Sequence, residues 1–187
     1  MSRIPPHNLE AEESLLGALL IDKNAMIKVG DFLHSEDFYL DKHRIIFETM
    51  VDLFFDQIPI DILSIANRLE EQKKLEQVGG RSYIASLANN VPSAGHIKHY
   101  AEIIQKKATL RRLGSCASEI TELAFDESED VDSLLDRAEA SVFAVSQKHT
   151  TNNFTAVKTV LTDTFERIDQ LHRDGGKVRG LPTGFTD

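Results

Sequence analysis

Three groups of residues in this chain are of types that could do chemistry: a glycine-bearing basic tail, seven histidines, and the serines and aspartates that could join a histidine in a hydrolase. The tail, residues 175–187, reads GGKVRGLPTGFTD. A phosphate-binding loop needs Gly, four residues, then Gly-Lys-Ser or Gly-Lys-Thr, set between a strand and a helix so that backbone N–H groups surround the phosphates. Here Gly176-Lys177 is followed by Val178, and Leu171 stands where the first glycine is required, inside a helical pattern. No strand pattern precedes it, so the tail fails as a phosphate loop. His96 and His99 sit i, i+3 at a helix start with Glu102 in reach. A metal centre needs a further ligand at a recognisable spacing, so the pair reads as two solvent-facing histidines. No nucleophile-elbow sequence marks a serine for catalysis. Cys116, the single cysteine, lies among Leu113, Ala117 and Ile120 and reads as a small packing residue rather than a reactive thiol. The sequence therefore shows no catalytic, cofactor-binding or metal-binding constellation.

The elements around these residues are helical almost throughout. With 187 residues, 41% hydrophobic and 27% charged, the chain can bury a real core and should fold. Its longest apolar runs, such as SLLGALLI, are far shorter than a membrane span, and no export signal precedes them, so no membrane partner is expected and the cytoplasm is the default location. Asn8 is a candidate N-cap, with Glu10 and Glu12 in a favourable first turn and Leu9, Leu15, Leu16, Leu19 and Leu20 on a buried face. A short helix around residues 25–32 follows. DKHRIIFETMVDLFF then places Ile45, Ile46, Met50, Val51, Leu53 and Phe54 on a surface broad enough for a central core helix. Asp61 can cap a helix that turns Ile62, Ile65, Ala66 and Leu69 inward, and VGGRSYIASLA reads as a glycine stop and another short helix. The predicted architecture is all-α: a compact bundle of short helices over residues 1–95, a long antiparallel helical hairpin over 96–147, and a region 148–187 holding a separate linker helix at about 156–173.

In the hairpin, Leu110, Leu113, Ala117, Ile120 and Ala124 step by three and four, the pattern of a coiled-coil seam, and Val131, Leu135, Ala138, Val142 and Val145 repeat it in the returning helix. Leu134 and Phe143 fall outside that second seam and call for a partner. In the linker helix Val157, Val160, Leu161, Thr164, Phe165, Ile168 and Leu171 form one stripe, destined either for this chain's own core or for another molecule. Charge is uneven. The formal net charge is -9, which disfavours a module that grips nucleic acid by itself. Yet residues 96–115 hold Lys98, Lys106, Lys107, Arg111 and Arg112 against Glu102 alone, and residues 126–140 hold seven acids against Arg137. Such poles are either solvated faces or a device that sets register between copies of the hairpin.

PPHNLEAEESLLGALL at residues 5–20, EDFY at 36–39, HRIIF at 43–47, VGGRSYIASLANNVPSA at 78–94 and GLPTGFTD at 180–187 occur in one order over nearly the whole chain. In this the chain resembles the bacterial replicative DNA helicases of the DnaB type. The resemblance implies an N-terminal fragment that stops at the entrance to a RecA-like ATPase domain. ATP and Mg would belong to that domain in the full-length parent, as would contact with DNA; the fragment would hold no cofactor and be inactive alone. It also implies hairpin pairing into dimers, with three dimers forming a collar on a hexameric ring, and docking of primase on that collar. On this reading the hairpin residues expected to self-associate are Leu110, Leu113, Ile120, Leu134 and Phe143. The linker residues expected to meet a neighbouring motor domain are Val157, Leu161, Phe165, Ile168 and Leu171. Two other readings stand beside it: a free-standing adaptor or helicase loader, and a nucleic-acid-binding domain using the arm from Lys106 to Arg112.

Overall fold

The computed structural model describes residues 4–150 apart from 23, 90, 92, 93, 126 and 127, together with 161, 164 and 165. Chain contacts divide it into two units, Met1–Asn152 and Asn153–Asp187. The described residues form seven α-helices and no strand: α1 Leu9–Ile21, α2 Ala25–Val29, α3 Asp41–Phe55, α4 Ile62–Glu71, α5 Gly80–Asn89, α6 Ile97–Leu123 and α7 Val131–Thr150. Short 3-10 turns at Ser35–Asp37 and Ala94–His96 precede α3 and α6. None of the described helices is long and apolar enough to cross a membrane.

Local chemistry sets the helix starts. Asn8 is extended at φ -149° and its side chain accepts the Ala11 N–H, while Asp61 accepts that of Ser64 at 2.8 Å. Each satisfies an N–H that the first helical turn leaves without a backbone partner. The helix expected over 25–32 stops at Val29, where the Gly30 N–H closes onto Met26 O and the chain turns to bury Leu33.

The axis of the bundle is α1 rather than α3. Ala11, Glu12, Ser14, Leu15, Leu16, Ala18 and Leu19 are all buried, so α1 has almost no outward side. Around it, α3 contributes Ile46, Phe47, Met50 and Leu53, while α4 contributes Ile65, Ala66 and Leu69. Ile62 and Phe54 stand at the rim, each just over a third exposed, because each lies near the open corner between α3 and α4. Ile97, Ala101 and Ile104 join the same core, so the first turns of α6 serve the bundle as well as the hairpin.

The hairpin closes on a different stripe from the one its spacing suggests. Cys116 and Leu123 are buried, and Leu134, Ala138, Ser141 and Val145 of α7 are half-buried. Leu110, Leu113, Ala117 and Ala124 lie exposed, with Ile120 half-buried beside them. At 3.6 residues per turn the two stripes of α6 lie roughly 120° apart, and both recur every three or four residues. The more apolar one is turned outward. On α7, likewise, Val131, Leu135 and Val142 are exposed, and Leu134 is an inward residue rather than a spare one.

Gly17 marks the tightest approach of α1 to its neighbours. A Cβ there would stand 2.1 Å from Leu87 O and 2.3 Å from a Val91 methyl, which explains a glycine mid-helix despite its entropic cost. Gly17→Ala is expected to destabilise the fold by about 1–3 kcal/mol in urea unfolding, because α1 and α5 must separate. A neutral or stabilising result would contradict this packing.

Candidate functional site

The hairpin is fastened to the bundle through the turn Ser35–Asp37. Asp37 is buried, and its carboxylate accepts the His34 N–H at 2.9 Å and Arg112 Nη1 at 2.9 Å. Arg111, one residue earlier on α6, donates through Nη2 to the backbone carbonyl of Asp37 and through Nη1 to Pro6 O. Its guanidinium lies 5.8 Å from the Tyr39 ring centre, and His7 stacks on that ring at 4.3 Å. Burial pulls the Arg111 guanidinium below its ordinary value, with Arg44 and Arg112 adding repulsion. At the far end of α7, Lys148 Nζ reaches Glu36 at 3.5 Å. Both helices of the hairpin are thereby tied to one three-residue turn.

This placement draws Arg111 and Arg112 out of the arm proposed to bind nucleic acid, since Arg111 Nη1 and Nη2 and Arg112 Nη1 are bound to Pro6 and Asp37. Of the basic stretch, Lys98 and Lys106 are exposed and Lys107 is half-buried, too few against -9 for phosphate-driven affinity.

A second buried polar knot ties α1, α3 and α5. Glu12 accepts the Tyr39 N–H at 2.7 Å and lies 2.6 Å from His43 Nδ1, while His43 Nε2 lies 2.7 Å from Tyr83 OH. With Nδ1–H donating to the Glu12 carboxylate, Nε2 accepts from the tyrosine hydroxyl. Tyr83 also faces Glu13 at 3.4 Å, and Lys42 Nζ sits 3.7 Å from the centre of its ring. The carboxylate–histidine pair has the make-up of a catalytic couple, but both side chains are enclosed and no substrate can reach them. Its work is structural. In the sequence Glu12 reads as a first-turn acid; the signal that points to the knot is that Glu12, His43 and Tyr83 each fall in a different family-like segment.

His99 and Glu102 approach to 4.0 Å, both exposed, and among the described residues no three metal-ligating side chains gather. Cys116 is buried in the hairpin. Of the linker-helix residues, Leu161 and Phe165 are exposed within their own unit, while Val157, Ile168 and Leu171 lie outside the described residues.

Among the described residues, the outward side of the hairpin is an open apolar surface. A shallow, open depression of about 850 Å³ lies along α7, lined by Ala138, Val142 and Phe143 with Asp136 and Glu139, and by Ile120 of α6. Leu110, Leu113, Val131, Leu135 and Phe143 are all exposed. The site residues of the sequence reading thus divide: Leu110, Leu113 and Phe143 face solvent, Ile120 lines the depression, and Leu134 turns toward α6.

Tyr83→Phe leaves the buried His43 nitrogen without a donor and is expected to cost about 1–2 kcal/mol at neutral pH. Burial, followed by Glu13, raises the Tyr83 phenol above its ordinary value of 10.0. Its contribution is therefore complete below that value and is lost as pH rises toward the folded value. Urea titrations above about pH 10 should show the parent losing stability more steeply than Tyr83→Phe. Parallel pH profiles would contradict the buried donor.

Residues 4–106 match the family model described as DnaB-like helicase N terminal domain. The chain is 36% identical over 185 residues to the replicative DNA helicase DnaB of Geobacillus stearothermophilus and 37% identical over 185 residues to the replicative DNA helicase DnaC of Bacillus subtilis. Both alignments take in 99% of this chain and 41% of the relative, so the chain spans about two fifths of their length. The crystal structure of the N-terminal domain of DnaB helicase from Mycobacterium tuberculosis superposes with a TM-score of 0.72 at 32% identity, covering 76% of this chain and 99% of that one. A DnaB-like replicative helicase studied with its interactions with primase gives 0.68 at 28% identity, covering 95% of this chain and 38% of that one. By the match of more than half its length to that model, and by its likeness in sequence and fold to these relatives, the chain belongs to the DnaB-like helicase N-terminal domain family.

Proposed function

We propose that this chain is the collar and linker portion of a hexameric, ATP-dependent replicative DNA helicase, serving ring assembly and primase docking rather than turnover. The observation that carries the reading is the outward hairpin face, apolar along its middle, basic at its root and acidic at its tip. A two-fold axis across the middle of α6 would lay the root of one copy's α6, with Lys98, toward the acidic tip of the other around Asp132. Leu113, Ile120, Val142 and Phe143 would then meet their counterparts out of water. Three such dimers would form the collar, and Val157, Leu161, Phe165, Ile168 and Leu171 would pack on a neighbour's motor domain. ATP, Mg and the DNA track would belong to that motor domain, and the assembly would work in the cytoplasm. A helicase loader would be a further partner. Primase docking gains support from the similar helicase described with primase. The relatives from Geobacillus stearothermophilus and Bacillus subtilis are themselves replicative helicases, which favours a collar over a free-standing adaptor.

Sedimentation equilibrium tests the pairing. Phe143→Asp and Leu113→Asp alter exposed residues and should leave folding intact while shifting the chain toward monomer, each by about 2 kcal/mol or more, roughly thirtyfold in dissociation constant. If both variants keep the parent's mass at every concentration, the hairpin face is not the pairing surface.

A further inference from the structure

The corner between α3 and α4 carries a second apolar exposure with a charge signature of its own. Phe55 and Leu63 are 77% and 63% exposed, and Phe54, Ile58 and Ile62 are each more than a third exposed. The Phe54 and Phe55 rings meet edge to face at 6.1 Å. The corner is held in shape: the Ile58 N–H returns to Leu53 O at 2.9 Å, and Gln57 takes a left-handed φ of 59° to allow it.

Every charged side chain from residue 45 to residue 67 is an acid: Glu48, Asp52, Asp56 and Asp61. All four are exposed. One cation serves this corner. Arg68 holds Asp56 at 2.9 Å, reaches Glu71 at 3.9 Å, and also feels Asp52. Its single charge leaves the corner negative.

We propose that the α3–α4 corner docks a basic amphipathic helix of another protein, with the apolar stripe of that helix on Phe55, Ile58 and Leu63 and its lysines or arginines against Glu48, Asp52 and Asp56. Charge complementarity selects the occupant, since an aromatic patch with an acidic rim attracts a basic helix and repels an acidic one. A second copy of this chain is a poor occupant. Its net charge is -9, Lys28, Arg44, Arg81, Arg137 and Lys148 are each already paired with a carboxylate, and Lys98, Lys106 and Lys107 belong to the hairpin helix proposed for pairing between copies. The surface is separate from the hairpin face proposed for self-association, because it rises from the end of α3 whereas that face lies on α6 and α7.

The test uses the 187-residue chain and a designed peptide of roughly 18 residues, with leucines at helical spacing and lysines elsewhere. A second peptide carries glutamate for every lysine. Fluorescence anisotropy should show the lysine peptide binding at about 50 mM salt and weakening by about tenfold at about 500 mM, with no binding of the glutamate peptide. Phe55→Ser and Asp52→Lys should each weaken the lysine peptide by about tenfold. Asp132→Lys at the hairpin tip and Phe143→Asp should leave it unchanged. Equal binding of the two peptides, no binding of either, or loss confined to the Asp132 variant would overturn the proposal. So would a fall in sedimentation mass caused by Phe55→Ser, which would assign the corner to a second copy. A failure of Phe143→Asp to change mass would count against the hairpin pairing alone.

Discussion

Two guanidinium groups one residue apart, Arg111 and Arg112, reach a single 3-10 turn from adjacent positions on α6, and the pose of the hairpin depends on them. One binds the buried carboxylate of Asp37 and the other the backbone carbonyls of Asp37 and Pro6. A buried carboxylate without a partner would be costly, and an arginine pair with a hydrogen-bonded carboxylate removes most of that cost while adding little net stability. What the arrangement supplies is direction. A helix 27 residues long, about 40 Å, would swing widely if only Ile97, Ala101 and Ile104 held it. With donors at residues 111 and 112 bound to Pro6 and the turn, the outward stripe from Leu110 to Ile120 takes a set position on the bundle.

The two polar knots divide the labour. Glu12, His43 and Tyr83 hold the bundle to itself, joining α1, α3 and α5 across long sequence separations. Asp37, Arg111 and Arg112 hold the hairpin to the bundle. Tyr39 joins them, since its N–H binds Glu12 and its ring lies beside Arg111. A disturbance at the hairpin root therefore has a short covalent and hydrogen-bonded route to α1. This makes the bundle a stable platform and leaves apolar surface on the hairpin for association.

Local signals are legible in this sequence, and contacts between distant positions are not. Asn8 and Asp61 cap the helices expected of them because a cap is satisfied within three residues. The all-helical class and the hairpin follow from apolar spacing in the same way. The direction of the hairpin's stripes does not, because α6 carries two stripes of equal period, and only tertiary contact decides that Cys116 and Leu123 face inward while Leu113 faces out. Glu12 looks like a surface acid until His43, 31 positions away, is folded against it. Arg111 and Arg112 look like free charge until Asp37, more than seventy positions away, takes them up. The apolar corner at Phe55 escapes a search for periodicity because it is built from a helix end and a turn.

The central claim is that the arginine clamp, though outside the proposed pairing face, sets that face in position. The most direct measurement is sedimentation equilibrium of Arg111→Met, with circular dichroism confirming that the helices persist. Self-association is expected to weaken by at least about tenfold in dissociation constant relative to the parent, because the hairpin root loses its fixed angle. An Arg111→Met chain that stays folded and associates as tightly as the parent would contradict it.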